Sequence, residues 1–249
     1  MTSDRVPLIS LTTATFNCES TLPRTIESIL AQEYPNIEYV VMDGLSGDRT
    51  VEVARSYEDA FAERNWSFRI VSQADRGMYD AINQGMDICS GKLLGNVNGD
   101  DYLEPGGLAA VADAYAKKGF DIAYCDLRVH TGKGTFIKKA AKMGAWPTSR
   151  TWNHPTMFLA NRALGLRYRI DNPYADFDLY LRAAKSGMII ETLPVVVSNF
   201  LFGGLSTKRS WADVRKRIGW RNQIYRDNGC PFMTYVEGVA IEVAKYFKA

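Results

Sequence analysis

From Leu8 onward the chain alternates short apolar runs, polar clusters and stretches of helical periodicity. Leu8-Ile9-Ser10-Leu11-Thr12-Thr13 predicts a buried strand, and the polar Ala14 to Ser20 predicts a loop at its C-terminal end. In Thr21 to Gln32, Leu22, Ile26, Ile29 and Leu30 fall on one helical face. A second strand is expected at Ile37 to Met42, closed by Asp43-Gly44-Leu45-Ser46-Gly47-Asp48, then a helix from Arg49 to Arg64 and a third strand at Phe68 to Val71. Repetition of strand, loop and helix implies an α/β fold with a mostly parallel sheet and helices on both faces. No internal repeat or low-complexity linker interrupts it. The composition changes only after about Ser206, where basic and aromatic residues interleave on helical spacing.

Open α/β sheets bind ligands outside the carboxyl ends of their strands, so the residues after each apolar run are the ones to inspect. Thr13 to Asn17, Asp43 to Asp48, and Asn98-Gly99-Asp100-Asp101 after Lys92 to Val97 are polar in this place. A carboxylate at a strand end suits a hard divalent cation that also bridges phosphate oxygens. Asn-Gly-Asp-Asp is equally good turn chemistry, and both readings stand. Asp43 is placed to accept an N–H from a nucleobase, or to serve as an Asx-turn residue before the next helix. Asp75 to Gly85 is a charged, glycine-containing loop leading into a helix, where Arg76 either meets a base or diphosphate or stays solvated.

With 249 residues, 46% hydrophobic and 23% charged, the chain is long enough to bury one full core. A net charge of +2 gives no argument for wrapping nucleic acid. Cys18, Cys89, Cys125 and Cys230 lie far apart with no C-x-x-C pair, which points to a reducing, cytoplasmic compartment. Neither a signal-like N-terminus nor a run of about 18 apolar residues is present, so secretion and membrane spanning are not expected.

Six segments follow one another in a recognisable order: Leu11 to Asn17, Val41 to Thr50, Asp75 to Gly85, Asn98 to Asp101, His154-Pro155-Thr156-Met157-Phe158 and Asp176 to Arg182. Through them, from Leu8 to about Gly204, the chain resembles the family-2 glycosyltransferases of the GT-A (Rossmann-like) fold, and is similar to those that build bacterial surface polysaccharides. The resemblance implies a catalytic domain over 1–206, with a nucleotide-binding half (1–101) and an acceptor half (102–206), followed by a helical accessory segment over 207–249. It implies that Thr13, Thr15, Phe16 and Asn17 line a nucleotide-sugar pocket with Asn98 and Gly99, that Asp43 reads the base and that Arg76 assists. Asn98-x-Asp100 stands where the family carries D-x-D, so Asp100 would hold Mn²⁺ or Mg²⁺ on the diphosphate, and Asp176 stands at the general base. Two positions depart from the pattern: Asn98 replaces the first acid, and Ala175 replaces the Glu that often precedes the base.

The implied chemistry is inverting transfer from a nucleotide-diphosphate sugar, a UDP-sugar by preference, to a hydroxyl acceptor such as a lipid-linked glycan. A divalent metal stabilises the departing diphosphate, and a carboxylate takes the acceptor's proton. Asp178 is expected to point away from Asp176, and Arg182 to be its structural partner rather than a catalyst. His154 and Trp152 are candidates for acceptor or phosphate contact, and Trp146 for sugar stacking; core packing is the alternative for each.

Lys208, Arg209, Arg215, Lys216, Arg217, Arg221 and Arg226 are interleaved with Trp211, Val214, Ile218 and Tyr225. This basic amphipathic pattern suits an anionic membrane surface at the cytoplasmic face, or packing on the catalytic domain. Phe232 to Phe247 is expected to form a second docking helix or a homodimer contact. The rival from another class is a nucleotide-sugar-binding or regulatory protein without turnover, which Asn98 favours and Asp100 and Asp176 oppose. A nucleotidyltransferase or a Rossmann dehydrogenase would need a glycine-rich loop after the first strand, which Thr13 to Asn17 is not. A processive synthase would normally bring membrane spans and a Q-x-x-R-W element, neither of which is present.

Overall fold

The computed structural model describes residues 6–144, 147–201 and 210–248. Trp146, Lys208, Arg209 and the expected boundary near Ser206 lie outside the described residues.

The first half is built from β1 (Ile9–Thr15), β2 (Ile37–Asp43), β3 (Ser67–Ser72) and β4 (Leu93–Asn96), with α1 (Leu22–Leu30), α2 (Thr50–Arg55), α3 (Glu58–Glu63) and α4 (Met78–Ile88) between them. These four strands are parallel in the order β3-β2-β1-β4. Every residue of β2 is buried, as a strand covered by helices on both faces requires. Pro23 in the first turn of α1 costs no hydrogen bond there, and Leu22, Ile26 and Ile29 bury against Ile9, Leu11 and Tyr39. The single helix expected over Arg49 to Arg64 is two. Ser56 between them turns its hydroxyl back to the Val53 carbonyl at 2.7 Å, a side-chain bond that competes with the helix ladder.

The second half contains β5 (Tyr102–Leu103), α5 (Gly107–Lys118), β6 (Ile122–Thr131), β7 (Gly134–Lys138), β8 (Phe158–Ala160), α6 (Ala175–Lys185) and β9 (Ile190–Leu201). The sheet continues as β4-β8-β6-β9-β5, with β7 beside β6. Here the expected parallel arrangement holds only for β6 with β9, because β8 runs against both β4 and β6. A parallel return needs a long, usually helical crossover, and the described part of the connection from β7 to β8 contains no α-helix. The register of β6 on β9 slips around Asp126, and beyond that irregularity β6 carries β7 and β9 as a three-stranded ribbon.

The last elements are α7 (Trp211–Asp227) and α8 (Phe232–Lys248). Ser210 caps α7 by accepting the Asp213 N–H at 3.1 Å. Gly238 lets the helices touch: a Cβ there would lie 2.7 Å from Arg221 Cδ and 2.8 Å from a Tyr225 ring carbon. The expected basic face of α7 is only partly outward. Arg221, fully buried, donates to Glu242 at 2.7 Å, and Arg217 reaches the other oxygen of Glu242 at 2.8 Å. Tyr174 donates to Glu242 at 3.0 Å and lies under the Arg221 guanidinium at 4.5 Å, which fastens the two helices to the loop before α6. No helix of the described residues is long and apolar enough to cross a membrane.

Candidate active site

Three loops at the carboxyl ends of β1, β2 and β3 bond to one another. Asn17 takes a left-handed conformation (φ 54°), its N–H donating to Ser46 Oγ at 2.8 Å and its Oδ1 accepting the Gly47 N–H at 2.9 Å. Asp75 lies on the bare backbone of Gly44, where a Cβ would stand 2.5 Å from Asp75 Oδ2, and its Oδ1 accepts the Gly77 N–H at 2.7 Å. Phe16 and Leu45 on two of these loops, and Met78 at the start of α4, are exposed apolar side chains. Together they supply flat carbon surface beside polar backbone, as a nucleoside needs.

Asp43 ends β2 and is buried. Its oxygens accept the Ser46 N–H at 3.0 Å, the Ser46 hydroxyl, Ser72 Oγ at 2.7 Å and Thr15 Oγ1 at 3.3 Å. Four donors occupy the acceptor positions of one carboxylate, so Asp43 builds the turn, and a nucleobase N–H would have to displace a hydroxyl to reach it. Thr13 and Thr15 are likewise floor rather than lining. Thr13 is fully buried and accepts the Tyr39 hydroxyl at 2.9 Å, while the Thr15 hydroxyl is spent on Asp43. Arg76 stands at the rim, largely exposed and paired with Asp80 at 3.2 Å one turn along. Asp75, half-buried on Gly44, is the acid in this region that the sequence patterns did not single out. The signal was the glycine directly after Asp43.

The segment after β4 is pinned from α1: Thr25 Oγ1 donates to the Asp101 carbonyl at 2.6 Å and Arg24 to the Asp100 carbonyl at 3.2 Å. Gly99 packs on the β1 loop, with a Cβ position 3.3 Å from Cys18 Sγ and 3.4 Å from Thr15 Cγ2. The Asn98 side chain is consumed within the turn, accepting from Asn96 at 2.9 Å and donating to Asp101 Oδ2 at 2.8 Å. Asp101 is buried, its Oδ1 unpartnered among the described residues, and burial together with the neighbouring Asp100 pushes its carboxyl up to about 7. Asp100 is partly exposed, and no described side chain donates to it. Its open carboxylate is a hard-oxygen donor that fits Mg²⁺ or Mn²⁺. No three His, Cys, Asp or Glu side chains cluster as a metal cage among the described residues. Such cations commonly sit on one or two carboxylates with the rest supplied by water and phosphate.

Asp176 lies in the first turn of α6, where the helix dipole favours a negative charge. Tyr79 donates its hydroxyl to Oδ1 at 3.1 Å and Trp152 its indole N–H to Oδ2 at 2.9 Å. Tyr79 lies in the first turn of α4, directly after the Asp75 to Gly77 loop, so it ties that loop to this carboxylate. It is the second residue that sequence patterns did not single out, although its segment was recognised. Trp152 is buried among Tyr124 and Tyr180, 5.0 and 4.9 Å between ring centres, which makes it both packing and a holder of Asp176. His154 is buried, bonded to the Tyr168 hydroxyl at 2.9 Å and edge-on to Tyr79, and burial holds its imidazole below the ordinary value. Asp178 faces away, as expected, to Arg182 at 2.8 Å and Asn228 at 2.8 Å. Ala175 is fully buried in the cluster that contains Ile224 and Tyr225 of α7, which leaves no water for a glutamate there.

Residues 10–177 match the model of the family described as "Glycosyl transferase family 2". The chain belongs to this family. This glycosyltransferase is 30% identical over 222 residues to a PGL/p-HBAD biosynthesis glycosyltransferase of Mycobacterium bovis, covering 85% of this chain and 84% of that protein. It is 26% identical over 227 residues to the chondroitin synthase of Escherichia coli, covering 86% of this chain but only 32% of that enzyme, and so spans about a third of its length. Among solved structures it superposes on residues 1–349 of S. aureus TarS in complex with UDP-GlcNAc (TM-score 0.71, 15% identity, 96% of this chain and 72% of that one). It also superposes on the mannosyltransferase PcManGT of Pyrobaculum calidifontis in complex with GDP-Man and Mn²⁺ (TM-score 0.69, 19% identity, 98% of this chain and 70% of that one). The glycosyltransferase has the GT-A fold.

Proposed function

We propose that this glycosyltransferase moves a sugar, with inversion, from a nucleoside diphosphate sugar to a hydroxyl acceptor, with Asp176 as general base. The observation that carries the reading is the partly buried Asp176 carboxylate, held by one donor from α4 and one, Trp152, from the second half of the chain. A hydroxyl within hydrogen-bond reach of Asp176 loses its proton to it as its oxygen attacks the anomeric carbon from the face opposite the diphosphate. Direct displacement inverts that centre. The loops carrying Phe16, Leu45, Asp75 and Met78 would hold the nucleoside, with Arg76 at the rim beside the phosphates. Asp100 would hold Mn²⁺ or Mg²⁺, with Asn98 bracing the turn. A cation there would stabilise the charge gathering on the diphosphate.

A panel of nucleotide sugars in thermal unfolding, each with and without Mn²⁺, tests this. One donor, a UDP-sugar before a GDP- or dTDP-sugar, is expected to stabilise only with the metal, by about 2.7 kcal/mol at ~100 times its dissociation constant. The TarS complex with UDP-GlcNAc and the PcManGT complex with GDP-Man and Mn²⁺ support the choice of probes. Stabilisation of equal size without metal would count against the role of Asp100.

The acceptor is proposed to be a lipid-linked glycan of surface-polysaccharide synthesis, met at the cytoplasmic face of the membrane. The support is α8, which exposes Phe232, Met233, Val236, Val239 and Phe247 on helical spacing, with Trp211 of α7 stacked on Tyr246 at its far end. Residues 207–249 hold nine basic side chains against four acidic ones, within a chain whose net charge is only +2. Two copies joined through this face would bring like charge together, whereas an anionic bilayer complements it. The docking face is therefore assigned to α8 and to the exposed Arg215 and Lys216, not to the inward Arg217 and Arg221. Phe232→Ser with Phe247→Ser should release the protein from vesicles of anionic phospholipid at low salt. A wild type that ignores such vesicles, or a dimer in solution that the same changes dissociate, contradicts it.

A further inference from the structure

Two paths lead from α7 and α8 to Asp176. On the first, Tyr174 stands at the N-cap of α6, the helix that carries Asp176 in its first turn. A short polar side chain at that position would accept an N–H of the first turn. Tyr174 makes no such bond. Its ring lies instead under the Arg221 guanidinium at 4.5 Å, and its hydroxyl donates to Glu242 at 3.0 Å. Its backbone N–H donates to Asn172 Oδ1 at 3.0 Å, and Asn172 in turn donates to the Trp220 carbonyl of α7 at 3.0 Å. On the second path, Arg221 donates to Ser149 Oγ at 2.8 Å, in the turn that leads to Trp152, whose indole N–H holds Asp176 Oδ2. Arg221 thus stands at the head of both paths, and Glu242 fixes it by accepting from it at 2.7 Å.

Glu242 is fully buried, as is Arg221. A buried ion pair is a weak source of stability, since apolar side chains of like volume would often hold two helices as well. What the carboxylate adds is direction: it sets the Arg221 fork and the Tyr174 hydroxyl on fixed lines. We propose that Glu242 is a positioning residue for the transfer, holding Asp176 in place through Tyr174 and Arg221. The proposal rests on the reading of Asp176 as the base and adds that α7 and α8 belong to the apparatus that aims it. A general base works only within hydrogen-bond reach of the proton it takes, about 2.6–3.2 Å. A displacement of about 1 Å at the start of α6 therefore costs turnover. Neither path passes through the loops after β1, β2 and β4, so donor binding is spared.

Glu242→Gln keeps the shape and one acceptor oxygen but not the charge, and Tyr174→Phe removes a single hydroxyl. Should Glu242→Gln not fold, Tyr174→Phe carries the test. The first measurement, on the full chain, is hydrolysis of the nucleotide sugar that most stabilises the protein to heat, with water in the place of the acceptor. For the folded variants kcat is expected to fall roughly tenfold or more, with KM within a few-fold. In an Asp176→Asn background the same changes should cost nothing further, because they act through a base that is no longer there. The second measurement needs no substrate. The Trp152 indole N–H, identified in a ¹H–¹⁵N spectrum by its loss in Trp152→Phe, is expected to shift in the folded variants, since its acceptor is Asp176. Wild-type kcat in the folded variants overturns the proposal, as does an unmoved Trp152 signal or a loss repeated in full on top of Asp176→Asn. A moved Trp152 signal together with full turnover by Asp176→Asn would count against Asp176 as the base and leave the tie from Glu242 to Asp176 standing, so the two readings fail separately.

Discussion

Asp176 receives a neutral donor on each oxygen, Tyr79 on one and Trp152 on the other, which fixes the plane of its carboxylate and leaves lone pairs free for an acceptor hydroxyl. Both donors are themselves packed, Tyr79 on Tyr168 at 5.0 Å between ring centres and Trp152 between two tyrosines. His154 sits in the same aromatic cluster and is kept neutral by burial, which outweighs the opposite pull of Asp176. The sign of its pH effect follows. Below about 6.5 the unfolded chain binds a proton on this histidine while the folded chain resists it. Stability contributed by the buried imidazole is therefore present above that pH and lost as pH falls through it, by up to about 1.4 kcal/mol per unit. Urea unfolding at pH 7.5 and 5.5 should show a steeper loss for the wild type than for His154→Gln, and parallel losses would contradict a neutral His154. At this scale the sequence was partly legible. The Asp178–Arg182 pair forms as its spacing suggests, whereas the side chains of Thr13, Thr15 and Asp43 are bonded to one another and to Ser46, Ser72 and Tyr39. A strand pattern says which residues end at the ligand side. It does not say which hydroxyls their neighbours will claim.

Among the elements, periodicity recovered β1, α1, β2 and β3 to within two or three residues at each end, because two-sided burial and one apolar helix face leave strong patterns. It missed the break at Ser56, where a side-chain bond competes with the helix, and the reversed β8, whose three residues carry no directional signal. The helix α7 shows the deeper limit. Arg217 and Arg221 read as part of a solvated basic face, yet both turn to Glu242, a residue far along the chain that marks nothing by its own spacing. A buried pair broken from one side leaves uncompensated charge. Glu242→Ala should therefore cost about 3–5 kcal/mol in urea unfolding and loosen the grip of α7 and α8 on Tyr174. A loss under about 1 kcal/mol, the range of exposed pairs, would show that the cluster is not holding the helices.

In the whole molecule, a parallel half whose loops suit a nucleotide meets a mixed half whose ribbon and α6 frame a cavity, and Asp176 stands at the seam with Tyr79 reaching it from one side and Trp152 from the other. The proposed function gives these residues separable tasks: Asp100 to the donor and its metal, Asp176 to the acceptor's proton. The measurement that tests this division most directly is Asp176→Asn, with donor binding and sugar transfer read on the same preparation. The substitution keeps the shape and the Tyr79 and Trp152 partners but cannot take a proton, so transfer should fall roughly 10²-fold or more while donor affinity stays within a few-fold. An Asp176→Asn protein that transfers sugar at the wild-type rate would contradict the account.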